Sequence, residues 1–125
     1  MAQYDAYEPL PGKHVNGKLT LGENIADLSG LQIAYKAYHL SLNGKPAPVI
    51  DGLTGDERFF LAFAQIWRGK MRDAALLKQV ATDPHSPMAF RAIGASMNSD
   101  GFAETFGTKP GDKMYKAPQD RIHMW

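Results

Sequence analysis

The sequence predicts a mainly α-helical domain, on three observations. Apolar residues recur by threes and fours from Leu21 to Leu42, the spacing of one helical face. Thr54-Gly55-Asp56-Glu57 has the spacing of a capping box and leads into a phenylalanine-rich stretch. Ser86-Pro87 sets a capping residue and a residue suited to the first helical position before a further apolar periodicity. At 125 residues the chain suits a single domain, 1–125, large enough to bury a core.

Taken in order, residues 1–19 contain Pro9, Pro11, Gly12 and Gly17 with no sustained period and read as an irregular lead-in, with a short extended segment at Val15 to Leu19. Residues 20–106 form the helical part. Its first helix begins at Thr20, buries the stripe Leu21, Ile25, Leu28, Leu31, Tyr35, Tyr38 and Leu42, and stops at Gly44 ahead of Pro46 and Pro48. Beside that stripe Glu23, Asp27, Gly30 and Ala34 share a flank whose small residues would let another helix approach closely. A second helix runs from Thr54 through Phe59, Phe60, Phe63 and Trp67 to an interruption at Gly69, and a third spans Asp73 to Val80 before Pro84. Ser86 caps a fourth carrying Met88, Phe90, Ile93 and Met97, which stops near Asn98, and a short fifth covers Phe102 to Phe106, ending at Gly107. Residues 107–125 form an irregular tail held by burial of Tyr115 and Trp125.

Composition narrows the function. A net charge of +1 with dispersed Lys and Arg offers no basic stripe for a row of phosphates, so nucleic acid is not an expected partner. With no cysteine there is neither a disulfide nor a thiolate ligand. The apolar runs fall short of the roughly 20 residues of a spanning helix, and no basic segment followed by an apolar h-region opens the chain. Nucleophile elbow, phosphate-cradling loop and dinucleotide fingerprint are all missing.

Glu23 and Asp27 stand four apart and so share a helical face. One carboxylate that ligates a metal and a second that orients a neighbouring ligand would have this layout. Equally, Thr20-x-x-Glu23 is a capping box, and Asp27 an exposed helix charge with no partner at pairing distance in the sequence. His85, between prolines, suits a solvated turn, although Asp83 two residues earlier can favour the imidazolium and aim its ring. Arg91 reads as a solvated helix residue, and Phe59, Phe60, Phe63, Ile66 and Trp67 as core.

The segments Glu23-Asn24-Ile25-Ala26-Asp27, Phe59-Phe60-Leu61-Ala62-Phe63-Ala64-Gln65-Ile66-Trp67, Thr82-Asp83-Pro84-His85-Ser86-Pro87 with Phe90-Arg91, and Asp120-Arg121-Ile122-His123-Met124-Trp125 follow one another at telling spacing. Together, from about Val15 onward, they resemble the end of the catalytic domain of the neprilysin-like zinc metalloendopeptidases, the neprilysin and endothelin-converting enzyme family. The resemblance implies the C-terminal helical part of a thermolysin-like (gluzincin) catalytic domain and one zinc ion in the complete enzyme. It assigns Glu23 as the third protein ligand to zinc, Asp27 as the group orienting a zinc-binding histidine, and His85, with Asp83 behind it, as donor to the oxyanion of the tetrahedral intermediate. Arg91 would hydrogen-bond a backbone carbonyl of the bound peptide, and Ile66 and Trp67 would line the pocket for the residue after the scissile bond. Peptides are the implied substrates. Because animal members carry disulfides in this region, the cysteine-free chain resembles a bacterial member, with a parent protein in the periplasm or at the cell surface.

The family's His-Glu-x-x-His helix, which supplies two zinc ligands and the general base, does not occur. His14, His39, His85 and His123 are scattered, with no pair at i, i+4. The expectation is therefore a C-terminal segment that alone is inactive and holds no zinc, completed by an N-terminal part bearing that motif. Two rivals stand beside it: a non-catalytic module that binds peptides through Arg91 and Trp67, and a helical interaction domain whose Glu23, Asp27, Gly30 and Ala34 face packs on the rest of the enzyme or on a second copy as a homodimer.

Overall fold

The computed structural model describes residues 1–124 and is helical. In chain order the helices are α1 (Ala2–Asp5), α2 (Leu21–Ser41), α3 (Gly55–Ile66), α4 (Asp73–Thr82), α5 (Met88–Ser96) and α6 (Asp100–Phe106), with a 3₁₀ turn at Pro118–Asp120. Pairing of extended backbone among the described residues is limited to the isolated bridges Leu10–Lys13 and Ile50–Leu53.

Leu31 of α2, Phe60 of α3 and Ala95 of α5 form the buried centre, ringed by Tyr35, Phe59, Phe63 and Phe102. Burying a leucine or phenylalanine side chain stabilises a fold by about 1.5–3 kcal/mol, so this three-helix junction fixes how α2, α3 and α5 sit together. Helix α6 packs against α3, and α1 against α5. The close approach of α1 depends on Gly94, where a Cβ would collide with the Tyr4 hydroxyl and ring.

Local signals account for the helix ends. Thr54 closes the expected capping box, its hydroxyl accepting from the Glu57 amide at 3.2 Å while the Glu57 carboxylate accepts from the Thr54 amide at 2.7 Å. Gly107 ends α6 in the left-handed region, with φ 58°. Past the end of α2, Asn43 (φ 50°) and Gly44 (φ 74°) both turn left-handed, so the stop is shared between them.

Four expectations need correction. The lead-in is not wholly irregular, because Ala2–Asp5 forms a helical turn with Tyr4 buried. Val15 to Leu19 is not extended: the Val15 amide donates to the Tyr7 carbonyl, and Asn16 turns the chain by accepting from the Lys18 and Leu19 amides. In α2 the buried positions are Asn24, Leu28 and Leu31, while Ile25 is exposed. The helix is thus rotated toward its polar neighbour, which buries because it finds partners. Ser86 does not cap α5; Pro87 holds the cap position, and the Ser86 hydroxyl is used elsewhere. In the tail Tyr115 is half-buried, and the expected burial of Trp125 lies outside the described residues.

Candidate functional site

Three stretches far apart in sequence meet on one side of the molecule: the first turns of α2, the end of α3, and the 83–91 segment running into α5. The packing of α2 on α5 brings the outer two together.

Glu23 does not turn back on Thr20, whose side chain makes no capping bond to the helix. Its Oε2 instead lies 3.3 Å from Nε2 of His85. On the other side of the ring, Nδ1 of His85 lies 2.8 Å from Oδ1 of Asp83, which also accepts from the His85 backbone amide at 2.8 Å. The ring is therefore clasped between two carboxylates, and both of its nitrogens can donate at once only in the doubly protonated form. The Asp83 carboxyl is held below its ordinary value by the His85 amide and then by the ring. Glu23 and His85 remain accessible, with side-chain exposures of 41% and 45%.

One turn along α2, Asp27 is not a solvated charge. Arg91 reaches it from α5 with a two-pronged grip, Nε to Oδ2 and Nη2 to Oδ1, each 2.7 Å. The pair is largely buried, with side-chain exposures of 15% for Arg91 and 9% for Asp27. Hydrogen bonding to Asp27 raises the Arg91 pKa further. The guanidinium also lies on the Trp67 ring, 3.9 Å from its centroid, a stacking worth about 0.5–2 kcal/mol. Among the described residues Nη1 of Arg91 has no hydrogen-bond partner, so part of the fork remains available for a peptide carbonyl.

Ile66 and Trp67 do not form one continuous wall. Trp67 closes α3 beneath Arg91, whereas Ile66 is 72% exposed and edges a groove of about 370 Å³. Asp27, Gly30 and Ala34 of α2 face Phe63 and Ile66 of α3 across that groove. The small-residue flank of α2 is thus open to the surface, floored by aromatic carbon.

Sequence reasoning missed the supports of this site. Tyr4 is buried against Gly94, and its hydroxyl pKa is raised by burial first and by Tyr7 and Asp27 after it. Asn24 and Ser86 are the buried neighbours of Glu23 and His85, joined by a hydrogen bond of 2.8 Å. A polar residue set at helical spacing between the apolar Leu21 and Leu28 was the one available signal.

A carboxylate oxygen and an imidazole nitrogen are donors that zinc accepts, and a catalytic zinc takes three protein ligands and keeps one position open. Glu23 fits such a role as a single accessible carboxylate. No group of three His, Cys, Asp or Glu side chains that could hold a metal ion occurs among the described residues.

The chain is similar to known proteins over almost its whole length. The model for peptidase family M13 matches residues 1–122. Neprilysin-3 of Drosophila melanogaster is 41% identical over 127 aligned residues, covering 98% of this chain and 16% of that protein. Human endothelin-converting enzyme 1 is 42% identical with the same coverage, 98% and 16%. The crystal structure of Mycobacterium tuberculosis zinc metalloprotease ZMP1 in complex with an inhibitor superposes with a TM-score of 0.96 at 51% identity, covering 99% of this chain and 20% of that one. The chain thus spans about a sixth of the length of the animal relatives and a fifth of the mycobacterial chain. Identity to the mycobacterial protein exceeds that to the two animal proteins, in keeping with a bacterial member.

Proposed function

The chain belongs to peptidase family M13, and on that premise we propose that it serves as the C-terminal segment of the catalytic domain of a zinc metalloendopeptidase. The observation that carries this reading is the convergence of Glu23 and Asp83 on the His85 imidazole, beside the Asp27–Arg91 pair.

Bound zinc would supply a Lewis acid and an activated water. In the complete enzyme Glu23 would provide one of its ligands, and the other two would come with a general base from a His-Glu-x-x-His helix outside these residues. That helix would seat against the Gly30 and Ala34 side of α2, where Asp27, while held by Arg91, keeps lone pairs with which it could orient one of its histidines. His85 is aimed by Asp83. With Glu23 engaged as a ligand, Nε2 of His85, here 3.3 Å from that carboxylate, would be free to donate to the oxyanion formed when water adds to the peptide carbonyl. Arg91, already positioned by Asp27 and Trp67, offers Nη1 to a backbone carbonyl of the substrate. The groove at Ile66 receives a large apolar side chain following the scissile bond. Without the missing ligands and base, the 125 residues alone hold no zinc in order and cleave no peptide. We place the enzyme outside the cytoplasm, as the family resemblance implies; no helix of the described residues is long and apolar enough to cross a membrane.

The test is steady-state kinetics of the complete enzyme carrying His85→Ala. Loss of one oxyanion donor lowers kcat by about 10²- to 10³-fold, with a smaller change in KM. An unchanged kcat would remove His85 from the mechanism and the reading with it.

A further inference from the structure

Glu23 and His85 are both accessible, and an exposed ion pair is worth only about 0–1 kcal/mol. Their contact cannot hold the 83–87 loop against α2. What does so lies one residue along each strand of the contact. Asn24 is 6% exposed and Ser86 1%, and the Ser86 hydroxyl donates to Oδ1 of Asn24 at 2.8 Å across a separation of 62 residues. Nδ2 of Asn24 donates to Oγ1 of Thr20 at 2.9 Å, and the Thr20 hydroxyl donates to the Asn16 carbonyl at 3.0 Å.

The direction of this relay is forced. A carbonyl only accepts, so the Thr20 hydroxyl gives it its single proton and must receive from Asn24. The Asn24 amide nitrogen therefore faces Thr20, its oxygen faces Ser86, and Ser86 must donate. Each buried polar atom in the series has one compatible orientation, and the series runs from the turn at Asn16 through the first turn of α2 into the loop that carries His85. Successive residues of a helix point about 100° apart, so with Asn24 locked inward Glu23 is directed outward. On the loop, Ser86 turned inward leaves His85 beside Glu23.

We infer that Asn24 and Ser86 are positioning residues for the Glu23–His85 pair: their buried hydrogen bond sets the register in which the ligand carboxylate and the oxyanion donor face the reaction. This inference rests on the proposed function for the roles of Glu23 and His85, but not for the geometry itself. Breaking the bond leaves Asn24 with an unpaired buried oxygen and lets the 83–87 loop shift, and a displacement of about 1 Å in catalytic geometry can cost on the order of 100-fold in rate.

The test combines two readouts on Ser86→Ala, Asn24→Ala and the double variant. In the 125-residue chain, the nuclear Overhauser cross-peak between the His85 ring and the Glu23 side chain is expected to vanish in each single variant while the remaining amide spectrum stays folded. Should Ser86→Ala unfold, Ser86→Cys keeps a similar volume with a weak donor and is read the same way. In the complete enzyme each single variant should lower kcat by about 10- to 100-fold with KM within about twofold, and the double variant should be no worse than the worse single, since both remove one interaction. A cross-peak that survives in folded single variants overturns the inference and leaves the peptidase reading intact. Loss of the cross-peak with an unchanged kcat supports the lock and overturns instead the catalytic roles given to Glu23 and His85.

Discussion

Arg91 holds both carboxylate oxygens of Asp27 at 2.7 Å, across 64 residues of sequence, with its guanidinium lying on Trp67. Helices α2, α5 and the end of α3 are thereby tied at one point. Because this pair is mostly withdrawn from water, losing one partner strands the other. Asp27→Asn or Arg91→Ala should each destabilise the chain by about 3 kcal/mol, and Arg91→Lys, which keeps the charge but not the fork, by less. Urea denaturation measures this. An unshifted midpoint for Asp27→Asn would show that the pair is not structural.

If Arg91 clamps the substrate backbone as proposed, its stacking on Trp67 changes how substrate recognition would divide. Trp67 cannot serve apolar selectivity alone, because it supports the residue that would clamp the backbone. Trp67→Ala should therefore weaken all substrates as well as flatten the ranking among large apolar side chains. Ile66→Ala should affect the ranking alone, at about 0.8 kcal/mol per buried methylene lost. Comparing kcat/KM over a series of peptides varied after the scissile bond tests both. If Ile66→Ala depressed every substrate equally, the groove would be misassigned.

Asp83 is kept ionised below its ordinary pKa of 3.8 chiefly by the His85 amide and secondarily by the His85 ring. A carboxyl depressed in the fold adds stability that is complete above its unfolded pKa and disappears as the pH falls through the lowered folded value. The order of causes gives a specific outcome. His85→Ala should return the Asp83 titration, followed by carbon-13 shifts, only part of the way to its ordinary position, since the backbone amide remains. Full return would mean that the ring, not the amide, governs Asp83.

Thr54 offers a test at the opposite end of α3. Thr54→Ala removes the acceptor for the Glu57 amide and should cost about 1 kcal/mol. The thermal midpoint should drop without any change in the His85 region of the spectrum. A shift there would reveal coupling between the two ends of α3 that the packing does not suggest.

The contrast between what was legible in the sequence and what was not follows the range of the interactions. Helices α2 to α6 announced themselves through local devices: the Thr54–Glu57 box, Gly107, and apolar residues at helical spacing. Helix ends could be read because a cap acts within a few residues. The pairing of Asp27 with Arg91 could not, since it exists only after α2 has packed on α5. For the same reason Ser86, a plausible cap by position, turned out to face Asn24, and Asn24 displaced Ile25 from the interior. Tyr4 was hidden in a segment whose prolines and glycines masked one helical turn. The resemblance to the neprilysin-like peptidases pointed to Glu23, Arg91 and His85 and gave only Asp83 as a support for the last; the Asn24–Ser86 and Asp27–Arg91 contacts behind them became visible only in three dimensions.

Glu23 is the residue on which the account turns, and metal content is the measurement that reaches it most directly. In the complete enzyme, zinc analysis after exhaustive dialysis should find one zinc per protein, and Glu23→Gln should lose most of it while Asp27→Asn, acting through the histidine it orients, lowers affinity by only about 10- to 100-fold. A Glu23→Gln enzyme that retains a full equivalent of zinc would contradict the placement of this carboxylate at the metal.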